Sequence, residues 1–412
     1  MSRVIFHIDV NSAFLSWTAV QRLKEGIEPD LRTIPSAIAG DDQSRHGVIL
    51  AKSTPAKKFG VQTGEPIAMA LKKCPQLLCF PPDFPLYARS SESMFQILSE
   101  YSDRLERFSI DEGFLDYTGM EALFGPPQEC AQKIKDRIFR ELGFTVNIGI
   151  SSNKLLAKMA GELEKPDKLL TLFPQEVPQK LWPLPVEELF MVGRKTAPRL
   201  HKMGIYTIED LAKYPPALLV REFKSFGMTL HAYANGLDDT PVASAEESRE
   251  TKSIGNSTTL PYDVTDRETA HKILLALAET VGMRLRCSSL CAQEIAVTIK
   301  TSDFRVYSHQ KQLLNAVDCT NAVYETALEV FDAAWKKEPI RLLGIRAGKL
   351  CQEGCVQLSL MEEDWSRQKQ ADAAMDQLKL KYGKKAVQRS TFAGNEEKAF
   401  EGGKIKIHHK IL

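Results

Sequence analysis

Two short apolar, β-prone stretches in this chain each lead to clustered carboxylates. The run Val4-Ile5-Phe6-His7-Ile8 delivers Asp9 to its end, where a buried strand reaches the rim of a sheet. Ser12 to Val20 follows with the spacing of a helix buried on one side. From Glu25 to Pro85 the chain is rich in Pro, Gly and Lys, with short apolar pieces such as Gly47–Ala51, which predicts a small irregular subdomain inserted into a larger one. Met94, Ile97, Leu98, Tyr101 and Leu105 carry helical spacing across Tyr87–Arg107 and lead into a second strand, Phe108–Asp116, holding Asp111 and Glu112. A helix near Glu129–Leu142, a strand Thr145–Ile150 and a helix Asn153–Glu164 stopped by Lys165-Pro166 continue the same domain. This order predicts an α+β layer, with helices on one face of a mostly antiparallel sheet.

The second half changes rhythm. Val186–Leu237 reads as short helices broken by glycine, at Gly193 and Gly204, and Ala243–Arg249 as a polar linker. A final α/β domain is predicted from a helix near Arg267–Arg286, a strand Glu294–Lys300, a helix near Asn321–Lys336 and a strand Arg341–Lys349. Beyond Glu362 the composition turns polar and basic, which predicts a mobile tail with one helix over Ala371–Lys381.

At 412 residues the chain exceeds one core and should hold about three or four domains. No apolar run approaches the roughly 18–20 residues of a membrane span, so a cytoplasmic location is expected. The formal charge of +1 does not advertise a polyanion partner, although a balanced total can hide a basic face. The eight cysteines form no disulfide framework. Cys287/Cys291, on an apparent helix, and Cys351/Cys355 have CxxxC spacing, open to zinc or to plain packing; packing is expected because no histidine accompanies the first pair.

Like charges a few ångströms apart repel, and burying them costs more. A divalent cation removes that penalty, and Mg²⁺ favours a few carboxylates plus phosphate oxygens. From spacing alone, Asp9, Asp111 and Glu112 remain equally readable as such a site or as surface carboxylates ending strands.

Taken in order, Asp9-x-x-x-x-Phe14, Ser109-Ile110-Asp111-Glu112-x-x-Leu115-Asp116 and Ile148-Gly149-Ile150-Ser151-x-Asn153-Lys154-x-x-Ala157-Lys158 through Lys165-Pro166 closely resemble the motifs of the Y-family, lesion-bypass DNA polymerases, in their bacterial DNA polymerase IV branch. The likeness spans roughly residues 3–360. It implies a right-hand polymerase: a palm over residues 1–24 and 84–172, fingers over 25–83, a helix–hairpin–helix thumb over 173–242, a linker over 243–253, an α/β little finger over 254–362 and the tail from 363. It further implies that Asp9 and Asp111 bridge two Mg²⁺ ions, that Glu112 holds the one nearer the primer end, and that the Val10 carbonyl serves the nucleotide-bound one. Phe14 falls at the steric gate against ribonucleotides, where the alternative is an ordinary core phenylalanine. Asn11, Ser12 and Ala13 precede it where the first turn of a helix can hold triphosphate oxygens. Many relatives carry a carboxylate at the position of Asn11.

Other positions depart further from the pattern. Ala51–Gly60 resembles the fingers motif, but Thr54 and Lys57 stand where relatives usually present Tyr and Arg. Lysine lacks the bidentate fork of arginine, so its grip on a phosphate is looser. Lys165 matches the phosphate-binding lysine; it also suits a helix C-terminus. In the thumb, Gly193, Lys195 and Thr196 are expected at a DNA phosphate, with Met191 where relatives often have a second glycine. Lys252, Lys300 and Arg305 are expected to meet the DNA backbone by charge. Gln357, Leu358, Leu360 and Met361 belong to a pentapeptide resembling the sliding-clamp-binding segment, or to a last strand of the little finger. The expected partners are primer–template DNA, deoxynucleoside triphosphates and a sliding clamp, bound by a monomer. The function implied is low-fidelity lesion bypass without proofreading. The rivals are a catalytically silent, clamp-associated DNA-binding protein and a nucleotide cyclase on a similar palm.

Overall fold

The computed structural model describes residues 3–40, 47–244, 251–352, 366–383 and 386–392. The chain divides into two compact units, with the boundary between Ser248 and Arg249.

The first unit begins with β1 (Ile5–Val10) and α1 (Ala13–Lys24), followed by the insertion: β2 (Ser36–Ala39), β3 (Ile49–Lys52), α2 (Thr54–Lys58), α3 (Ile67–Lys73) and β4 (Leu78–Phe80). The insertion forms its own sheet, in the order β3-β2-β4, over a small core around Ile49, Val61 and Ile67. The chain then returns through α4 (Phe84–Ser99), β5 (Leu105–Arg107), β6 (Glu112–Asp116), α5 (Glu121–Phe124), α6 (Pro127–Leu142), β7 (Val146–Ser151), α7 (Lys154–Leu163) and β8 (Leu169–Thr171). The larger sheet runs β5-β6-β1-β7-β8, antiparallel except for the edge pair β7–β8. Leu105 lies in β5, not in the helix that its spacing predicts, because α4 ends at Ser99.

Helices cover both faces of this sheet, which corrects the one-faced layer expected from element order. Phe6, Ile8 and Val10 of β1, with Val146, Ile148 and Ile150 of β7, share a core with α1, α4 and α6. The alternate positions face α7: Ile5 and Phe114 pack with Ala157. Two glycines permit this approach. A Cβ on Gly149 would stand 2.0 Å from the Ala157 carbonyl oxygen, and one on Gly161 would stand 3.3 Å from His7 Nδ1. The other side of α7, with Leu155, Leu156 and Met159, packs against the helical segment α8 (Ala197–Lys202), α9 (Ile208–Lys213), α10 (Pro216–Phe223) and α11 (Ser225–Ala234).

The second unit consists of β9 (Ser253–Val264), α12 (Arg267–Cys287), β10 (Leu290–Thr301), β11 (Val306–Val317), α13 (Thr320–Ala334), β12 (Ile340–Gln352) and α14 (Ser366–Tyr382). Its sheet order is β11-β10-β12-β9, with α12 and α13 over one core. Sequence pattern found the two inner strands and missed β9 and β11, the edges, whose exposed positions are largely polar. Of the two CxxxC pairs, Cys287 is helical and Cys355 lies outside the described residues. Cys291 lies on β10, opposite Cys351 in the register with β12, and the Cys351 thiol donates to the Cys291 carbonyl at 3.8 Å.

Helix α14 and Phe392 are docked, contrary to the mobility expected from composition. Arg286 of α12 donates to Asp372 and, through two nitrogens, to Asp376 of α14. Asp372 also accepts the Thr320 backbone N–H at 2.7 Å, at the first turn of α13. Phe392 is buried with Leu275 and Ala276.

Candidate active site

The antiparallel register sets Asp9, near the end of β1, directly opposite Glu112, the first residue of β6. Opposed Cβ atoms in such pairs lie about 5 Å apart. The second acidic segment therefore presents its carboxylates at the start of a strand, not at its end: Phe108–Asp111 form the turn between β5 and β6. That turn is tied down at both sides. Val10 N–H donates to the Asp111 carbonyl at 3.0 Å, and the Ser109 hydroxyl donates to Asp111 Oδ1 while accepting the N–H groups of Asp111 and Glu112.

Each carboxylate has one oxygen engaged. Asp9 Oδ2 accepts from Lys165 Nζ at 2.6 Å, and Lys165 also meets Glu162 at 2.7 Å. Glu112 Oε2 accepts from His7 Nε2 at 2.9 Å and from Lys158 Nζ. None of the described hydrogen bonds uses Asp9 Oδ1, Asp111 Oδ2 or Glu112 Oε1. Burial raises the Asp9 carboxyl above its usual range, with Lys165 opposing. Burial also acts to raise Glu112, but His7 and Lys158 outweigh it and hold the group at about 2. Burial pushes His7 down, so this fully buried imidazole is neutral and donates through Nε2. Burial alone would lower Lys165; Asp9 and Glu162 raise it.

Three hard oxygen ligands at one end of the inner strands β1 and β6 fit a divalent cation in kind. Among the described residues no three His, Cys, Asp or Glu side chains are gathered closely enough to hold one as they stand, Asp9 and Glu112 being turned toward their lysines. His7 was not singled out from sequence, and Lys158 only as a motif position with no role assigned. The signal for His7 is a polar residue inside an otherwise apolar strand, and for Lys158 its place in the motif on the sheet-facing helix.

Beside the carboxylates the chain turns sharply at Ser12, whose φ of 49° is left-handed, and α1 begins. No described hydrogen bond takes the N–H groups of Ala13, Phe14 or Leu15, as expected for a helix start without a side-chain cap. Asn11 is pinned instead to Thr145, N–H to carbonyl at 3.1 Å and Nδ2 to Oγ1 at 3.1 Å. Phe14 is half-buried, stacked on Tyr87 with ring centroids 4.5 Å apart and edge-on to Phe84. In the insertion, Thr54 is the first residue of α2 and is exposed, as is Lys57. Lys52, at the end of β3, has its pKa lowered by burial and then by Lys57, which marks a shared basic patch that sequence reasoning did not include.

The family model described as impB/mucB/samB matches residues 8–162, its C-terminal domain matches 251–360, and the IMS family HHH motif matches 174–205. The chain is 50% identical over 403 residues, 97% of its length and 100% of the relative's, to DNA polymerase IV of Clostridium acetobutylicum. It belongs to the Y family of DNA polymerases. To DNA polymerase IV 1 of Bacillus subtilis it is 37% identical, over 97% of this chain and 96% of that one. A solved Y-family DNA polymerase chimera superposes with a TM-score of 0.73 at 25% identity, covering 85% of this chain and 99% of the other. This Y-family chain is accordingly a DNA-directed DNA polymerase of the translesion class. Among the described residues no helix is long and apolar enough to cross a membrane.

The helix–hairpin–helix region shows why Met191 departs from pattern at a cost. Its φ of 75° is the backbone that glycine adopts freely. Gly193, by contrast, has open space around its missing Cβ, and its carbonyl accepts from Thr196 N–H at 2.9 Å. Lys195 lies between them, in the turn before α8. In the little finger Lys252 is exposed just before β9, and Lys300 lies 4.5 Å over the ring of Phe304. Arg305 is engaged by Asp303 at 2.6 Å and Glu338 at 2.9 Å. The segment holding Gln357, Leu358, Leu360 and Met361 lies outside the described residues.

Proposed function

We propose that this Y-family polymerase extends a primer 3′ end by phosphoryl transfer at a two-ion centre, with low fidelity, past damaged template bases and without proofreading. The observation that supports this most directly is that Asp9, Glu112 and Asp111 lie together at one end of the inner strands β1 and β6, each with a carboxylate oxygen left over. Asp9, Asp111 and Glu112, with the Val10 carbonyl, would hold two Mg²⁺ ions. Such ions, when bound, stabilise charge on the attacking and leaving oxygens.

The remaining work falls to the chain's own groups. The N–H groups at the start of α1 donate to triphosphate oxygens, where the helix dipole also favours negative charge. Asn11, Ser12 and Ala13 shape that turn. Lys165 and, more loosely, Lys57 beside Thr54 supply counter-charge. The Phe14 ring, braced by Tyr87, leaves no room for a 2′-hydroxyl. Gly193, Lys195 and Thr196 meet the DNA backbone in the thumb, and Lys252 and Lys300 in the little finger. Arg305 contributes only if DNA displaces Asp303 or Glu338. We assign a sliding-clamp contact to residues 357–361 on their pattern, and a monomeric cytoplasmic enzyme.

A silent accessory protein has no use for three converging carboxylates, and the relatives are named as polymerases. Single-nucleotide primer extension with Mg²⁺ tests the reading, and absence of extension where DNA binding is measurable would overturn it.

A further inference from the structure

The last residues of the thumb do not leave from the helical bundle. Residues Gly236–Ala243 run back onto the palm and are held there by side chains from three palm elements. Asn153 Nδ2 donates to the Gly236 carbonyl at 2.9 Å, and Leu155 N–H donates to Asp238 Oδ2 at 3.1 Å, both at the start of α7. Arg3 donates to the Thr240 carbonyl at 3.0 Å. Val242 is buried with Ile5 of β1, Phe114 of β6 and Ala157 of α7. The firmest tie is an ion pair. Glu106 of β5, 5% exposed, accepts from Lys154 Nζ at 2.6 Å and from the Ala243 backbone N–H at 3.0 Å, both through Oε2. Lys154, 13% exposed, lies 5.0 Å over the Phe114 ring. Position 106 faces Phe114 in the β5–β6 register, so the pair is built into the sheet.

We propose that Glu106 and Lys154 are positioning residues that latch the strap 236–243 to the palm and thereby keep short the connection to the little finger. The second unit begins only a few residues beyond Ala243, with β9 opening at Ser253. Glu106 is a buried carboxylate that a surface role would not require; paired with Lys154, it offers the Ala243 N–H a charge-assisted acceptor. If the latch opens, the stretch between the last anchored palm contact and β9 lengthens from residues 244–252 to residues 236–252. Two DNA-gripping units on one chain gain affinity from effective concentration, which falls roughly as the −3/2 power of connector length. A loosened strap thus weakens DNA binding without touching the carboxylates. This inference rests on the reading that both units grip primer–template.

Two variants of the full chain test it. The double substitution Glu106→Gln with Lys154→Met replaces the pair by neutral side chains of similar size and leaves no buried charge unpaired. Val242→Ser attacks the strap's apolar seat while keeping the pair. Hydrogen exchange over 236–244, the primer–template dissociation constant and kcat at saturating DNA are measured for each. We expect faster exchange in the strap, a dissociation constant raised about threefold, and kcat unchanged. Unchanged exchange, or a loosened strap with wild-type DNA affinity, would overturn the latch. Failure of the reading that the units grip primer–template is a separate result, visible as wild-type protein that does not bind primer–template at all.

Discussion

Glu112 Oε2 is shared between His7 Nε2 at 2.9 Å and Lys158 Nζ, so a neutral imidazole and a lysine hold the same carboxylate oxygen. Glu112 and Lys158 are 15% and 12% exposed. The folded carboxyl is depressed from 4.5 to about 2, hence its pairing stabilises the fold above the ordinary carboxylate range and is lost as pH falls from about 4.5 toward 2. Lys158→Met should lower stability to urea at neutral pH by about 3 kcal/mol. That deficit should shrink as acid protonates Glu112; a deficit independent of pH down to about 2 would separate Lys158 from Glu112.

Phe14 stacks on Tyr87 with an interplanar angle of 6° and so has a fixed ring plane. Phe14→Ala should lower the ratio of kcat/KM for deoxynucleotide over ribonucleotide by at least about tenfold. An unchanged ratio would return Phe14 to an ordinary core role.

Gly149 and Gly193 make a matched contrast. Gly149→Ala places a Cβ 2.0 Å from the Ala157 carbonyl, forcing α7 off the sheet at a cost of about 3 kcal/mol and displacing Lys158 and Lys165 from the carboxylates. Gly193→Ala meets nothing within 4 Å and should change stability by less than about 0.5 kcal/mol. If it nevertheless weakens primer–template binding, the thumb backbone approaches DNA there; thermal melting and fluorescence anisotropy on both variants decide.

Truncation before Ser366 should destabilise the second unit, since it leaves Arg286 without Asp372 and Asp376, uncovers the Phe392 seat and strips the Asp372 acceptor from Thr320 N–H. Losing the buried partners of Arg286 alone accounts for about 3 kcal/mol. A melting temperature equal to that of the full chain would show that α14 contributes nothing to this fold.

Much of this was legible along the chain, and for physical reasons. The inner strands β1, β7 and β10 are buried and therefore write themselves as apolar runs. Edge strands β9 and β11 carry no such obligation. Asp9, Asp111 and Glu112 were readable because motif and strand coincide. The roles of His7 and of Lys158, the latter read only as a motif position, were not, since a lone polar residue in a strand and a lysine on a helix acquire a partner only when the fold brings both to Glu112. The docking of α14 was hidden for a related reason: Asp372, Asp376 and Lys379 look like solvated charge until Arg286 and Glu279 are set against them.

The central claim, that Asp9, Asp111 and Glu112 form the catalytic centre of a DNA polymerase, meets its most direct test in Asp111→Ala. Asp111 sits on the turn, outside the sheet core, so the substitution should leave the fold and primer–template affinity near wild type. With Mg²⁺ and one complementary deoxynucleotide at a time, the wild type should add one residue to the primer and the variant none. Extension by Asp111→Ala at a rate near wild type, with equal DNA binding, would contradict the account.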